Sequence, residues 1–528
     1  MRKTIIPVVS MLSMLILFAL NSCKDFLTEE PLSQITEDQF FQTRDDIASA
    51  MAGLYSSFRI EMTGAGTGST QGKYHYWGEV RSDNFDKSQY GGTSQNEMAL
   101  NSMTAGNNFC DWTGLYRTIS RANVNLQGIP KVKYLDNKVT ADTVSKYMAQ
   151  CYAMRAMCYF YIVRLWGDAP VWTAPYEDVT KSALKARTPK DSILNYIILP
   201  DLTNAYSMIK KNQNTNVWYI SESAICATLA DVYMWMHDYD NALIWFGKLF
   251  ATKTPTGTTY GTPVANDSSR IEKASTWKNV FLAPGSSLEG IWSIYFDNPT
   301  SDNSPNLAPS TGISNSGLKP DSAVFNGTPS IGWTGSVDRR ARQTIDILQT
   351  GWGNLLKFYP AGTKTSLADT KALPAYLTMY RLSDMYLLYA EALNQKGNYQ
   401  AAIDIVNLMR FRARVPVCKS VATWTIPSST TTQQAVEDTV LTERRWELYG
   451  EGKRWFDLVR TYHTNKVMQP VIKRRLRVYY GSSFDPNALF ECYLQENKAT
   501  GTFDPREYFP IDRGVLDANK LLIQNNPY

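Results

Sequence analysis

Two stretches of the chain, residues 221–250 and 381–410, align with each other at an offset of 160 residues. The offset superposes three pairs of residues: Ala230 on Ala390, Tyr239 on Tyr399, and Ala242 on Ala402. Each copy contains two apolar segments of helical periodicity that are joined by a short polar turn. Small alanines allow two helices to approach closely, and the tyrosine after the turn fills the wedge between them. The repeat therefore predicts two helical hairpins of the same design.

A hairpin of this length, with alanine, tyrosine and alanine at these intervals, resembles a tetratricopeptide (TPR) unit. Such a unit cannot bury its apolar faces alone, so further hairpins must stack against it. Helical periodicity does continue elsewhere in the chain, at residues 45–59, 111–128, 143–166, 189–211 and 433–462. The sequence therefore predicts a mainly α fold in which TPR-like hairpins form a scaffold.

Two long stretches interrupt the helical pattern, at about 61–110 and 252–375. Both are rich in Gly, Ser, Thr and Asn, and the second contains a strand-like run at 290–296. Insertions of this length in a compact domain are usually functional or disordered, and the aromatic residues in the first argue against disorder. We expect long irregular insertions that carry short strands.

The N-terminus predicts export and lipidation. Arg2 and Lys3 precede an apolar stretch at 5–20, which ends in Leu-Asn-Ser-Cys at Cys23. This pattern is typical of a lipoprotein signal peptide over residues 1–22, with Cys23 as the lipidated first residue of a single domain at 23–528. The alternative is an ordinary cleaved signal that happens to be followed by a cysteine.

Charge and cysteine usage exclude two classes of function. The net charge of +5 falls to +3 without Arg2 and Lys3, which is too weak for a nucleic-acid surface. The remaining cysteines form no CxxC pair, and no histidine lies near them at ligand spacing. We therefore predict no metal site, no cofactor and no nucleic-acid partner.

Catalysis has little support in the sequence. The chain has three histidines, and its one conspicuous acidic set is Glu443, Glu447 and Glu451, which alternates with arginines on one helix face. Paired carboxylates could indicate glycoside hydrolysis, but neighbouring arginines favour structural ion pairs. The glycine-rich run at 64–68 lacks the Lys-Ser/Thr of a phosphate loop and is interpreted as a flexible loop.

The aromatic residues of the insertions suit sugar binding. Flat rings cover the C–H face of a sugar, while amides and charged groups bond its hydroxyls. Trp292 and Tyr295, in the strand-like run, are instead expected to be buried. The candidate ligand-binding residues are Lys73, Tyr74, Tyr76, Trp77, Asn84, Tyr90, Asn96 and Trp333.

Four segments together resemble the SusD/RagB family of Bacteroidetes outer-membrane lipoproteins. They are the lipidation box with its arm at 23–41, RAMCYFYIVRLWGDAPVW at 155–172, ERRWELYGEGKRWFDLVR at 443–460, and the terminal segment at 508–528. The terminal segment departs from the family pattern at Asp512, where proline is usual, and at Pro527, which replaces a glycine.

The resemblance implies four TPR-like hairpins in a right-handed scaffold, with the ligand site carried by the long insertions. It also implies a cell-surface protein that binds an oligosaccharide, is not an enzyme, and delivers nutrient to a SusC-like TonB-dependent transporter. Two alternatives stay open: a TPR-type scaffold that binds peptide or protein ligands, and a hydrolase. The sequence does not specify the sugar, its linkage or its chain length.

Overall fold

The structure is a computed structural model of the chain. It describes residues 37–64, 72–87, 92–177, 180–295, 319–325, 338–345, 355–358, 376–481, 505–526 and 528.

Helices make up most of the described residues. In chain order they are α1 (Glu37–Phe40), α2 (Arg44–Thr63), α3 (Lys73–His75), α4 (Thr93–Ala99), α5 (Thr113–Val132), α6 (Ala141–Trp166), α7 (Lys190–Ile193), α8 (Leu199–Met208), α9 (Glu222–Trp235), α10 (Tyr239–Ala251), α11 (Asn279–Leu282), α12 (Ser322–Phe325), α13 (Arg339–Thr344), α14 (Leu382–Gln395), α15 (Tyr399–Ala413), α16 (Thr432–Glu447), α17 (Arg454–Arg460), α18 (Thr464–Tyr480) and α19 (Arg513–Ala518). π-Helical turns occupy Tyr76–Val80 and Leu194–Ile198.

Four short strands form two small antiparallel sheets in the described residues. Strand β1 (Phe85–Asp86) pairs with β3 (Lys319–Pro320), and β2 (Gly290–Ile294) pairs with β4 (Leu377–Arg381). The first pairing joins the two predicted insertions to each other. The second pairing fixes the strand-like run of the second insertion to the segment that enters α14.

The two repeated hairpins form as predicted. Helices α9 and α14 begin and end 160 residues apart, and α10 and α15 also begin 160 residues apart. In both copies the repeated alanines are buried, with Ala230 and Ala390 fully inaccessible. The mainly helical fold class predicted from the sequence is confirmed.

Successive helices pack against one another along the chain. Helix α2 packs on α5, α5 on α6, and α6 on α8; α8 contacts α9, α10 contacts α14, and α15 contacts α16. The first pair, α2 and α5, is interrupted in sequence by the first insertion, as the periodicity predicted. This arrangement buries a continuous apolar core along the stack, which a single hairpin could not supply.

Local sequence signals set the ends of several helices. Thr43 and Asp46 form a capping box at the start of α2, in which the Thr43 side chain accepts from Asp46 N and the Asp46 carboxylate accepts from Thr43 N. Ser221 caps α9 through Ala224 N. The helical stretch at 189–211 is interrupted by a π-helical turn at Leu194–Ile198, just before Pro200, since proline cannot donate a backbone hydrogen bond.

Three parts of the fold differ from the predictions. The helix predicted at 433–462 is two helices, α16 and α17, because Gly450 and Gly452 adopt left-handed conformations between them. The first insertion contains helical turns at 73–80 and 93–99 rather than irregular chain. Helix α18 (Thr464–Tyr480) lies beyond residue 462, where the last predicted helical stretch ends.

The repeated alanines provide a test of the TPR register, meaning the alignment that places Ala230 and Ala390 where two helices approach closely. Replacing Ala230 or Ala390 with leucine should lower the free energy of unfolding by about 1–3 kcal/mol, because the added side chain overpacks the junction between two helices. Chemical denaturation of each variant measures this change. Ala401→Leu is the matched control, since Ala401 is exposed in the first turn of α15. Changes below about 0.5 kcal/mol at both buried sites would contradict the register.

Candidate functional site

An open cleft of about 740 Å³ lies between the helical stack and strand β2. One wall is formed by α2 and the N-terminal half of α6, and the other by the 216–221 segment and β2. Its volume falls within the range that small-molecule sites occupy in proteins. The lining residues are Ala48, Met51, Ala52, Tyr55, Ser56, Phe58, Arg59, Lys146, Tyr147, Gln150, Trp218, Tyr219, Trp292, Ser293, Ile294 and Tyr295.

Helical periodicity brings the α2 and α6 residues to the cleft. Ala48, Tyr55 and Arg59 are separated by seven and four positions, so they lie along one face of α2. Lys146 and Gln150 are four positions apart on α6, which places them on one face of that helix. Ala48 and Ala52, which are small and exposed, leave room along the α2 wall of the cleft.

Hydrogen bonds tie the walls of the cleft together. The Tyr55 hydroxyl donates to Gln150 Oε1 at 2.7 Å and accepts from Ile220 N at 2.9 Å. Burial raises the pKa of Tyr55 well above its usual range, so the phenol stays neutral and keeps its proton for Gln150. On the opposite wall, Ser293 N donates to Val217 O at 2.7 Å and joins β2 to the 216–221 segment.

Aromatic rings line the rim of the cleft. Trp218 lies 5.1 Å from Tyr295 and 4.6 Å from Tyr376, measured between ring centroids, and Tyr219 packs edge-to-face on Tyr55 at 5.2 Å. Tyr219 and Tyr295 remain 50% and 45% exposed. Deeper in the cleft, Phe58 stacks on Trp292 at 5.8 Å. The cleft thus offers ring faces at its mouth and an apolar base.

The polar side chains of the cleft carry ammonium, guanidinium, amide and hydroxyl groups, all of which can donate hydrogen bonds. Arg59 and Lys146 are its charged side chains, and no Asp or Glu belongs to the described residues that line it. The Ser293 hydroxyl is buried and has no hydrogen-bond partner among the described residues. Such an arrangement can cover an apolar ring face and bond several hydroxyl or anionic groups at its edge.

Two family models match the chain. The model described as "SusD family" matches residues 324–528, and the one described as "Starch-binding associating with outer membrane" matches residues 25–234. The chain belongs to the SusD family. The resemblance inferred from four sequence segments is confirmed, since the matches together cover most of the chain.

Known SusD-like proteins match over nearly their whole length. SusD-like protein P38 of Formosa agariphila is 28% identical, with 88% of this chain and 93% of that protein covered. Among solved structures, a laminarin-binding SusD-like protein superposes with a TM-score of 0.66 at 16% identity, covering 92% of this chain and all of that one. B. fragilis NanU superposes with a TM-score of 0.67 at 17% identity, covering 94% and 100%.

The structure corrects four of the predicted ligand-binding residues. Tyr74, Tyr76, Trp77 and Asn84 are in the core of this SusD-like protein, and Trp77 is fully buried. The Trp77 indole donates to Phe109 O at 2.9 Å and packs edge-on against Trp166. The three aromatic side chains are inward because residues 73–80 form a helical segment against the stack, which the composition of the stretch alone did not reveal. Asn84 is held in the core by Arg445, whose Nε donates to Asn84 Oδ1 at 2.8 Å.

The other predicted contacts have different outcomes. Lys73 is half-buried and pairs with Glu61 at 2.5 Å, and Asn96 is half-buried on α4. Neither lines the cleft. Tyr90 and Trp333 lie outside the described residues, as does the lipidation residue Cys23, so their roles stay predictions.

Sequence reasoning missed the residues that form the rim. Tyr295 was expected to be buried with the strand-like run, but it follows the last paired residue of β2 and points into the cleft. Trp292 is buried, as expected, yet it also forms the base of the cleft. A usable signal existed in α2, where alanines, Tyr55 and Arg59 share one face in place of large apolar residues.

The acidic set on α16 does not form an accessible site. Glu447 accepts from Arg381 Nη1 at 2.8 Å and from Arg340 Nη1 at 3.1 Å, and it also pairs with Arg412. Burial would raise the pKa of Glu447, but Arg412, Arg381 and Arg340 outweigh it and hold the pKa well below its usual range. Glu443 and Glu451 are buried in ion pairs as well, with Arg340 and Lys357. The interpretation of these acids as structural ion pairs is confirmed.

Two features are absent from the described part of the chain. No group of three or more His, Cys, Asp or Glu side chains could hold a metal ion. No helix there is long and apolar enough to cross a membrane.

The buried acids generate a stability test. Glu447→Gln should lower the free energy of unfolding by about 3 kcal/mol or more at pH 7, because three buried arginines lose their shared counter-charge. Because the folded pKa of Glu447 lies below its unfolded value of 4.5, this stabilisation is complete above that value and decreases as the pH falls further. Urea titrations at neutral and acidic pH measure both effects.

Asp517→Asn is the matched control, since Asp517 pairs with Lys520 in the open, with side chains 70% and 73% exposed. That change should cost less than about 1 kcal/mol. Equal losses in the two variants would refute the structural assignment of the acidic set.

Proposed function

We propose that this SusD-like protein captures oligosaccharides in the cleft and releases them chemically unchanged. The observation that carries the proposal is the combination of exposed rings at the rim with Arg59, Gln150 and the Ser293 hydroxyl inside. Rings can stack on the C–H faces of sugars, and the polar groups can bond hydroxyls. A SusD-like protein of the same fold binds laminarin, which supports a sugar as the ligand class.

Binding without catalysis is part of the proposal. The described lining of the cleft holds no carboxylate that could act as a general acid or nucleophile. The conspicuous glutamates of the chain are instead fully buried and paired with arginines. Product analysis after incubating the purified protein with each bound glycan tests this point, and the appearance of shortened products would contradict it.

The proposed setting is the cell surface, with residues 23–528 as one domain anchored at Cys23. From there the protein would pass its ligand to a SusC-like TonB-dependent transporter. The match to a family described as associating with the outer membrane supports this location. Co-purification of a TonB-dependent barrel with the tagged protein from native membranes tests the partnership.

The rim aromatics provide the direct test of the site. Affinity electrophoresis against a panel that includes laminarin and a peptide set identifies a ligand, and calorimetry then measures the affinity. Tyr219→Ala and Tyr295→Ala should each weaken binding by about tenfold, since a stacked ring contributes roughly 0.5–1.5 kcal/mol beyond its buried area. Tyr196→Ala is the matched control, because Tyr196 is 75% exposed and outside the cleft. Unchanged affinity in both rim variants would contradict the assignment of the cleft.

Anchoring is tested separately at the N-terminus. Cys23→Ala should yield protein that carries no acyl label and separates from the membrane fraction, because the lipidation site is removed. Metabolic labelling with a fatty acid, followed by fractionation, measures both properties. Cys418→Ala, at a half-buried cysteine of the folded domain, serves as the control. Labelled, membrane-bound protein from the Cys23 variant would overturn the prediction.

A further inference from the structure

The charges of the cleft are all positive among the described residues that line it. Arg59 lies on α2 and Lys146 on α6, so two different helices deliver a cation to the same cleft. The chain as a whole is nearly balanced in charge, with 54 Lys and Arg against 49 Asp and Glu. The cleft is therefore a local concentration of positive charge rather than a sample of the whole surface.

Several cations in the core of this protein meet carboxylates at close range. Arg155 pairs with Asp201 at 2.7 Å, Arg460 with Glu391 at 2.7 Å, and Arg444 with Asp457 at 2.9 Å. Lys146 differs from these, since it forms no ion pair with a described residue and its ammonium lies 5.5 Å from the Tyr147 ring centroid. Its charge at the mouth of the cleft is available to a ligand.

Arg59 is the second cation of the cleft, and the geometry of its guanidinium is suited to binding anions. Its Nη2 lies 3.4 Å from Ser56 Oγ, which orients the guanidinium along the α2 face. A guanidinium carries five N–H donors in one plane, so it can hold neighbouring groups and still donate to an anion. Its fork geometry matches the two oxygens of a carboxylate or sulfate, whereas a single hydroxyl uses only one donor.

We propose that the preferred ligand of the cleft is an acidic oligosaccharide, one that carries carboxylate or sulfate groups. The inference rests on the proposed sugar-binding function and specifies its substrate class. The rim rings Tyr219 and Tyr295 would cover the sugar faces, while Arg59 and Lys146 bind the anionic substituent. A neutral sugar would gain the ring stacking but would offer no anionic group to Arg59 or Lys146.

The test compares acidic probes with neutral partners of the same backbone. Oligogalacturonate is paired with its carboxyl-reduced form, and a sulfated galactan oligosaccharide is paired with its desulfated form; calorimetry measures each affinity. At least one acidic probe should bind tenfold or more tightly than its neutral partner. That advantage should shrink as NaCl is raised, because partly exposed charges are screened over roughly 8 Å at physiological ionic strength. The two pairs distinguish a carboxylate from a sulfate as the recognised group.

Substitutions assign the preference to the cleft. Arg59→Gln and Lys146→Gln should each reduce the ratio of acidic to neutral affinity by fivefold or more, while Arg59→Lys should keep part of it. Lys133→Gln removes an exposed cation outside the cleft and should leave the ratio unchanged. Melting temperatures confirm that each variant is folded.

The failure of this inference can be separated from failure of the proposed function. Equal affinities for the acidic and neutral probes, combined with losses in the Tyr219 and Tyr295 variants, would overturn the acidic preference and leave sugar capture in place. An acidic preference that persists in both glutamine variants would also overturn the assignment to Arg59 and Lys146. Binding of the peptide set alone would contradict both proposals.

Discussion

Arg381 is the side chain on which much of this structure depends. It ends β4 and leads into α14, and its guanidinium donates to Glu289, Glu447 and Glu451 while it is fully buried. Burying an ion costs several kcal/mol unless its partners are all in place. The insertion, the second repeated hairpin and α16 must therefore meet together, because any partly assembled state leaves buried charges without counter-charges.

This requirement also positions the candidate site. Arg381 faces Gly290 at one end of the β2–β4 pairing, and the same ladder continues to Ile294 opposite Leu377. The ion-pair cluster therefore fixes one end of β2. The other end of this strand positions Trp292 and Tyr295 on the cleft wall. The Ser293–Val217 hydrogen bond attaches the 216–221 segment to this strand. A rigid cluster behind the cleft can thus pre-organise rings that remain exposed at its mouth.

The core and the cleft use charge in opposite ways. In the core, Arg155, Arg381, Arg444 and Arg460 lie beside carboxylates, because a buried charge is costly without a partner. At the cleft, water reaches the side chains, so the exposed Lys146 ammonium needs no carboxylate partner among the described residues. Cationic side chains therefore stabilise the frame in one place and line the proposed binding cleft in the other. Only the surroundings of each side chain separate these two roles.

The sequence by itself determined the helical frame. The 160-residue repeat predicted both hairpins, and the alternation of Glu and Arg at 443–460 predicted ion pairs, because helical spacing and charge are local properties of the chain. Its four segments also identified the family. It could not determine the cleft, since Tyr55, Lys146, Trp218 and Tyr295 are far apart in sequence and meet only through packing. It also misplaced Trp77, because an aromatic ring in a polar stretch can stack on a ligand or fill a core. Which of these occurs depends on whether the surrounding chain folds against the helices, and tertiary structure alone decided that.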